Sequence, residues 1–229
     1  MRNGLIHSLR CVAVALSVLI AGVFTVASGQ SQKSKNPSKN PYENYNEDFF
    51  MDMDFEPNLA TPEVPKQASG AVKAYVLNVA KNYRGAGNVD LLRDGEVMLV
   101  TIPTDRLFLP NDSLLMDDTE PILAPLLNPV KDPMMFKLVI AVHTDDTGSE
   151  FYRDELSTSR LNSIYDWLMT KFDEGQIAPE LIIIPYSMGS DMPLTDNDTR
   201  KHRSENRRLE FYYVPGPKLI EMASKGLLK

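Results

Sequence analysis

The chain has a single cysteine among its 229 residues, Cys11, and it sits inside an uncharged apolar run from Cys11 to Ala27. One thiol forms no internal disulfide and no multi-cysteine metal site. Cys11 also comes too early to be the lipidated residue that follows a cleaved signal. Histidine is almost as scarce, at 3 residues. His143 stands close to Asp145 and Asp146, but no second histidine is near it in sequence and no helical His-x-x-x-His occurs. A metal site is therefore not expected, and a histidine that hydrogen-bonds to hold a loop is the simpler reading. Positive charge is in deficit too. The formal net charge of −7 argues against nucleic acid and anionic lipid as partners. No internal repeat is evident, and no cofactor is implied.

The apolar run itself is informative. Arg2 and Arg10 precede or flank it, and the small residues Ala27 and Gly29 follow. Charged head, short apolar core and small-residue end make a secretory signal peptide over residues 1–29, with cleavage expected before Gln30. The competing reading keeps the segment as an inner-membrane anchor, since its length is near the lower limit for a span. Cleavage removes Arg2 and Arg10 and no acid, taking the charge from −7 to −9. An exported protein of the periplasm or cell envelope, with an outer-membrane association open to it, is the expectation.

Residues 30–69 read as a disordered tether. Gln30–Asn46 is rich in Ser, Lys, Asn and Pro and has no core to bury. Glu47–Glu56 is acidic with Phe49, Phe50 and Phe55, either a sticky piece of linker or a short docking segment. Pro57, Pro62 and Pro65 are expected to keep the chain extended.

A domain follows over residues 70–216, with a short C-terminal helix in residues 217–229. Val72, Tyr75, Val76, Val79, Ala80 and Tyr83 share one helical face. Asp94-Gly95 between two apolar stretches is a hairpin signal. Phe136–Val142 and Leu181–Ile184 read as buried strands, and Arg208–Val214 as a final strand. Leu156, Leu161, Ile164, Leu168 and Phe172 mark a long amphipathic helix. Strands alternating with helices imply an α/β arrangement, an α+β sandwich with helices packed on one face of a mixed sheet, preceded by a short helix and a hairpin.

One juxtaposition carries chemistry. His143-Thr144-Asp145 follows the strand Phe136–Val142, and Arg160 lies on the next helix. Strand–loop–helix geometry can bring Asp145 and Arg160 into one cleft. An ionised carboxylate only accepts hydrogen bonds, which suits an ammonium. A guanidinium offers a planar fork that matches a carboxylate. Together they suit a zwitterion. The plainer alternatives are that the two pair with each other, or that Asp145 caps the helix.

The wider pattern bears on that choice. Leu107-Phe108, His143-Thr144-Asp145, Leu156-Ser157, Arg160, Gly189, Pro193, Asn197, Arg203 and Asn206-Arg207-Arg208 occur in order over residues 88–214. This pattern resembles the OmpA-like C-terminal domain family, whose members bind peptidoglycan without covalent chemistry. The resemblance implies a βαβαβ-type domain, not an enzyme, with peptidoglycan as partner. It implies that Asp145 takes the ammonium of diaminopimelate and Arg160 its α-carboxylate. It places Asn111, Thr144, Arg153, Asn206 and Arg207 in the pocket wall or in support behind it. Arg153 departs from the family pattern, which has asparagine there, and puts a cation at the pocket mouth. Val142 and His202 replace glycines of the pattern. Family members in motor stators suggest a second role, a scaffold or adaptor of an envelope, motor or secretion complex with a retained anchor.

Two further motifs compete. Pro185-Tyr186-Ser187-Met188-Gly189 is like the nucleophile elbow of serine hydrolases, although its first glycine is Pro185 and Pro193 follows where a helix should start. Arg200, Lys201, His202, Arg203, Arg207 and Arg208 form a basic cluster, read as a local salt-bridge network.

Overall fold

The structure, a computed structural model, describes residues 45–228. The expected signal peptide or anchor of residues 1–29, and the part of the expected tether over residues 30–44, lie outside the described residues. Seven α-helices and five strands are described. They are α1 (Glu47–Met51), α2 (Phe55–Ala60), α3 (Lys66–Asn82), β1 (Asn88–Leu92), β2 (Val97–Pro103), α4 (Glu120–Leu123), β3 (Phe136–His143), α5 (Glu150–Asp173), β4 (Ile183–Gly189), α6 (Arg200–Asn206), β5 (Arg208–Pro215) and α7 (Pro217–Ser224).

The strands form one mixed sheet in the order β1-β2-β5-β3-β4. β1/β2, β2/β5 and β5/β3 are antiparallel, and β3/β4 are parallel across the α5 crossover. The α+β class expected from the alternation of elements is the one observed. β5, last in the sheet to be made, lies at its centre, so both its faces are buried. Alternation along the strands separates two cores. Met98, Val100, Ile102, Phe136, Leu138, Ile140, Val142, Leu209, Phe211 and Tyr213 face the long helices. Val97, Leu99, Val139, Ala141, Ile182, Ile184, Tyr212 and Val214 face the other way.

That second face corrects the tether. Residues 45–60 are not disordered: α1 and α2 lie across the sheet as a strap. Phe50 is 1% exposed, and Phe55 packs edge-on against Tyr186 and Tyr212 at 5.2 and 5.5 Å. The acidic residues made the segment look solvated, but they take the outer side of each short helix. The aromatic residues bury enough apolar surface, roughly 2 kcal/mol for each large side chain, to order it. Pro57 lies in the first turn of α2, where no intrahelical donor is needed, rather than in extended chain. Glu47–Glu56 is thus a docking segment whose target is the chain's own sheet. The domain also begins earlier than residue 70, because α3 starts at Lys66 and runs through Gly70.

The strap is fixed by one buried cation. Lys137 on β3 is 0% exposed and lies 3.7 Å from the ring centroid of Phe50. Its Nζ donates to the backbone and side-chain oxygens of Asn58, at 2.7 and 2.5 Å. Asn58 Nδ2 in turn donates to Phe50 O and Tyr186 Oη, both at 2.7 Å. Tyr186 Oη donates to Met53 O at 2.7 Å.

Near the site, β4 begins two residues later than the apolar run suggested and continues through Pro185 to Gly189. It is an edge strand, where a proline costs no ladder bond. Pro125 divides the segment after Thr119 into α4 and a 3-10 turn, Ala124–Val130. No described helix is long and apolar enough to cross a membrane.

Burial pushes the Lys137 ammonium down to about 7. The folded value is below the unfolded one, so the burial cost is complete below about pH 7 and is relieved as pH rises towards the ordinary lysine value. Asn58→Ala should cost about 2–4 kcal/mol in urea unfolding, because it strips the buried cation of its partners. Hydrogen exchange should rise in residues 45–60 before it rises in β3. Unchanged protection of the strap would show that the aromatic contacts alone hold it.

Candidate functional site

The site forms where β3 ends. A bulge between Val142 and His143 places His143 opposite Gly189 of β4. Gly189 has φ +50, a backbone region that favours glycine, and a Cβ there would meet Asp154 Oδ1 at 2.4 Å. Thr144 N donates to Gly189 O at 2.6 Å, and Gly189 N to Ser157 Oγ at 3.1 Å. These bonds tie the outgoing loop, β4 and α5 together. Asp145 then turns inward, and its Oδ1 accepts from Thr147 N at 2.9 Å. Ser149 caps α5 by accepting from Tyr152 N at 3.2 Å. Asp145 therefore closes the loop, and the helix cap belongs to Ser149.

Asp145 and Arg160 do not pair with each other. Arg207 Nη1 donates to Asp145 Oδ2 at 2.6 Å, while its Nε and Nη2 donate to the two Asp105 oxygens at 2.8 and 2.6 Å. Burial alone would raise the Asp145 carboxyl, but the hydrogen bonds from Thr147 and Arg207 outweigh it and hold it below the usual range. The Asp105 bonds, with help from Asp145, hold the Arg207 guanidinium above its ordinary value.

Arg160 is 2% exposed and forms the opposite wall. Its Nε donates to Asp112 O at 2.9 Å, Nη1 to Thr104 Oγ1 at 3.4 Å and Nη2 to Leu109 O at 3.4 Å. The Phe108 ring centroid is 5.0 Å from its Cζ. Burial presses the Arg160 guanidinium below its ordinary value, against the opposing pull of Asp105. Three of its five N–H groups are engaged, which leaves two for a ligand.

Both residues line one cleft of about 430 Å³, together with Asn111, Thr144, Tyr152, Arg153 and Arg207. Tyr152 Oη donates to Asn111 Oδ1 at 3.1 Å across its mouth, and Asn111 adopts φ 60, a backbone region asparagine tolerates. Two polar atoms of this wall are buried without a partner, Thr144 Oγ1 and Arg153 Nε. The cleft holds five arginines, at 153, 160, 200, 203 and 207, against the two aspartates 105 and 145. It can hold an anion that also carries an ammonium.

Among the expected residues, Asn206 is the exception. It does not line the cleft, and it is 0% exposed. Its Oδ1 accepts from Leu194 N and Thr195 N at 2.8 and 3.1 Å, and its Nδ2 donates to Thr195 O and Asn197 Oδ1 at 2.8 and 2.9 Å. Its role is to fold the loop after β4. Arg207 is more central than a supporting residue, since it holds Asp145 directly. Asp105, Phe108 and Arg200 were not anticipated as wall residues. Phe108 was signalled by its place beside Leu107 in the sequence pattern and Arg200 by the basic cluster, whereas nothing in the sequence pointed to Asp105. The basic cluster divides: Arg208 pairs with Glu210 and Lys201 with Glu205, while Arg200, Arg203 and Arg207 face the cleft.

The hydrolase reading fails on geometry. Ser187 lies within β4, not on a strand-to-helix turn, and its Oγ bonds the hydroxyls of Ser157 and Thr158 at 2.6 and 2.9 Å. His143 is occupied by Asp191 O and Glu210 at 3.1 and 2.9 Å. Among the described residues no three His, Cys, Asp or Glu side chains are grouped to hold a metal ion.

No family model matches the chain. A relative 29% identical over 104 residues is the lipoprotein candidate YfiB of Escherichia coli (strain K12). That match takes in 45% of this chain and spans 62% of the relative's length. Similar solved structures include a MotB-like protein from Desulfovibrio vulgaris, 19% identical, covering 66% of this chain and 90% of that one at a TM-score of 0.47. The cell wall anchor of the T6SS from Pseudomonas aeruginosa is 19% identical, covering 67% and 98% at 0.44. The OmpA-like domain of FopA1 from Francisella tularensis is 15% identical, covering 61% and 86% at 0.38.

Because the folded Asp145 carboxyl is held below its unfolded value, its stabilising effect is present at neutral pH and is lost as pH falls through the lowered value. Asp145→Asn should therefore melt below the wild type at pH 7, with the gap closing as pH is taken down past the ordinary aspartate range. Thermal melts at a series of pH values read this directly. A gap that stays constant would show that the loss comes from shape rather than charge.

Proposed function

We propose that this domain binds peptidoglycan non-covalently by gripping the diaminopimelate of a stem peptide. The observation that carries the reading is that Asp145 and Arg160 line one cleft yet bond other partners, so neither is spent on the other. Asp145 takes the ammonium and Arg160 the α-carboxylate, as the resemblance to OmpA-like domains implies. No bond is made or broken, so the chain acts as an anchor. The name of its E. coli relative, a lipoprotein, accords with a place in the cell envelope.

Affinity for one stem peptide should be modest, because the clamp must be desolvated and the ligand ordered. Many equivalent sites on a sacculus, or several copies within an envelope complex, would raise the avidity.

Co-sedimentation with purified sacculi tests the reading. Wild type should pellet, whereas Asp145→Ala and Arg160→Ala should each lose roughly 10-fold or more in affinity. The double variant should lose less than the product of the single losses, since both residues hold one ligand. Pelleting by both single variants at the wild-type level would sink the assignment.

A further inference from the structure

We propose that the mouth of the cleft is a second anion subsite, formed by Arg153 and Arg200 with Arg203 beside them, that takes an additional carboxylate of the bound peptide. This rests on the reading of Asp145 and Arg160 as a diaminopimelate clamp, and it adds that the preferred peptide is net negative.

Charge compensation in the cleft is unequal. The chain has 31 acidic residues against 24 Lys and Arg, yet the cleft reverses that balance. Its two carboxylates, Asp105 and Asp145, are both engaged by Arg207. None of the other four arginines of the cleft forms an ion pair among the described residues, and Arg160 is already assigned to the diaminopimelate carboxylate. Arg153 Nη1 donates only to carbonyls, Gly148 O at 2.7 Å and Asp146 O at 3.4 Å, and its Nε is unpartnered. Arg203 Nη1 donates to Asn197 O at 2.7 Å. Arg200 has no hydrogen bond or ion pair among the described residues and is exposed at the rim.

The short helix α6 makes the contrast internal. Lys201 reaches Glu205 at 3.7 Å and His202 reaches Asp198 at 2.6 Å. Acids thus serve the outward basic residues of α6, and none serves the two that face the cleft. Arg153 and Arg203 are half-buried and Arg200 is exposed, so these like charges repel one another through partial screening, and an entering anion relieves that repulsion. Planar guanidiniums fit a carboxylate in two-point fashion, so a second carboxylate a few atoms from diaminopimelate is the chemistry that matches. In a stem peptide the γ-linked glutamyl residue supplies such a group.

The test compares two probes by calorimetry on the full chain. One is the tripeptide alanyl-γ-glutamyl-diaminopimelate with a free glutamyl α-carboxylate, and the other is the same peptide with that group amidated. Wild type should prefer the free acid on the order of 10-fold. The double variant Arg153→Gln, Arg200→Gln should bind the two peptides with equal affinity, and lysine at both positions should restore part of the preference. Equal binding of the two peptides by wild type, with Asp145→Asn still abolishing both, would overturn the second subsite and leave the clamp standing. Binding of neither peptide by wild type would overturn the clamp and the subsite with it.

Discussion

The carboxylate of Glu210 is the point on which the site end of the molecule turns. It lies on the central strand β5, 3% exposed, and accepts from His143 Nε2, Arg208 Nε and Tyr212 Oη at 2.9, 2.7 and 2.6 Å. Burial alone would raise it, but His143 foremost, then Arg208 and Tyr212, bring it down to about 2. The same partners reach outward. His143 Nδ1 bonds Asp191 O, and Arg208 Nη2 donates to Met192 O at 3.0 Å. One buried charge therefore ties together β3, β5 and the loop after β4. A buried ionic network of this kind adds little net stability over apolar packing, but the loss of one member strands the others. What it fixes here is position. Asp145 follows His143 by two residues and Arg207 directly precedes Arg208, so the clamp inherits its geometry from the network behind it.

The two faces of the sheet solve different problems. The helix side is apolar throughout and is closed by α3, α5 and α7. The strap side has an apolar centre with buried charge at both ends, Lys137 at the start of β3 and the His143–Arg208–Glu210 group at its finish. Short helices alone are marginal in water, so α1 and α2 persist because this face gives them both apolar surface and a cation to bond. Asn58 does for the strap what Asn206 does for the loop over residues 194–197. Each is a fully buried amide whose donors and acceptors are spent on backbone groups, on one neutral side chain and, for Asn58, on the Lys137 cation.

How much of this was legible in the sequence follows from the range of each interaction. Period-two and period-3.6 apolar patterns report on burial against one face, and they located β2, β3, β5 and α5 within a few residues. That Asp145 and Arg160 share one cleft was legible because strand, loop and helix are adjacent in sequence. Arg207 was underrated because its bond to Asp145 spans 62 positions and its bonds to Asp105 span 102. The carbonyls that hold Arg160 leave no trace in residue identity at all. The strap was missed for a compositional reason: Asp and Glu on its outer side diluted the signal of Phe50, Phe55 and Leu59. Pro185 cut the expected strand short at Ile184, whereas β4 runs on to Gly189, since an edge strand tolerates a proline.

Arg207 also explains why the cleft stays open. Left alone in a low-dielectric pocket, an aspartate and an arginine tend to collapse onto each other, and a ligand would then have to break a buried ion pair before binding. Here the two charges are kept apart by being satisfied differently. Asp145 leans on Arg207, which is itself anchored in bidentate fashion by Asp105. Arg160 is held by carbonyls and a hydroxyl, which carry no full charge and leave its own undiminished. On the proposed reading, an entering zwitterion would add bonds to both without displacing any, so its gain would be set by the difference between water and the cleft rather than by competition within the protein. The arrangement is pre-organised, and its cost is an excess of guanidinium charge that the chain does not neutralise for itself.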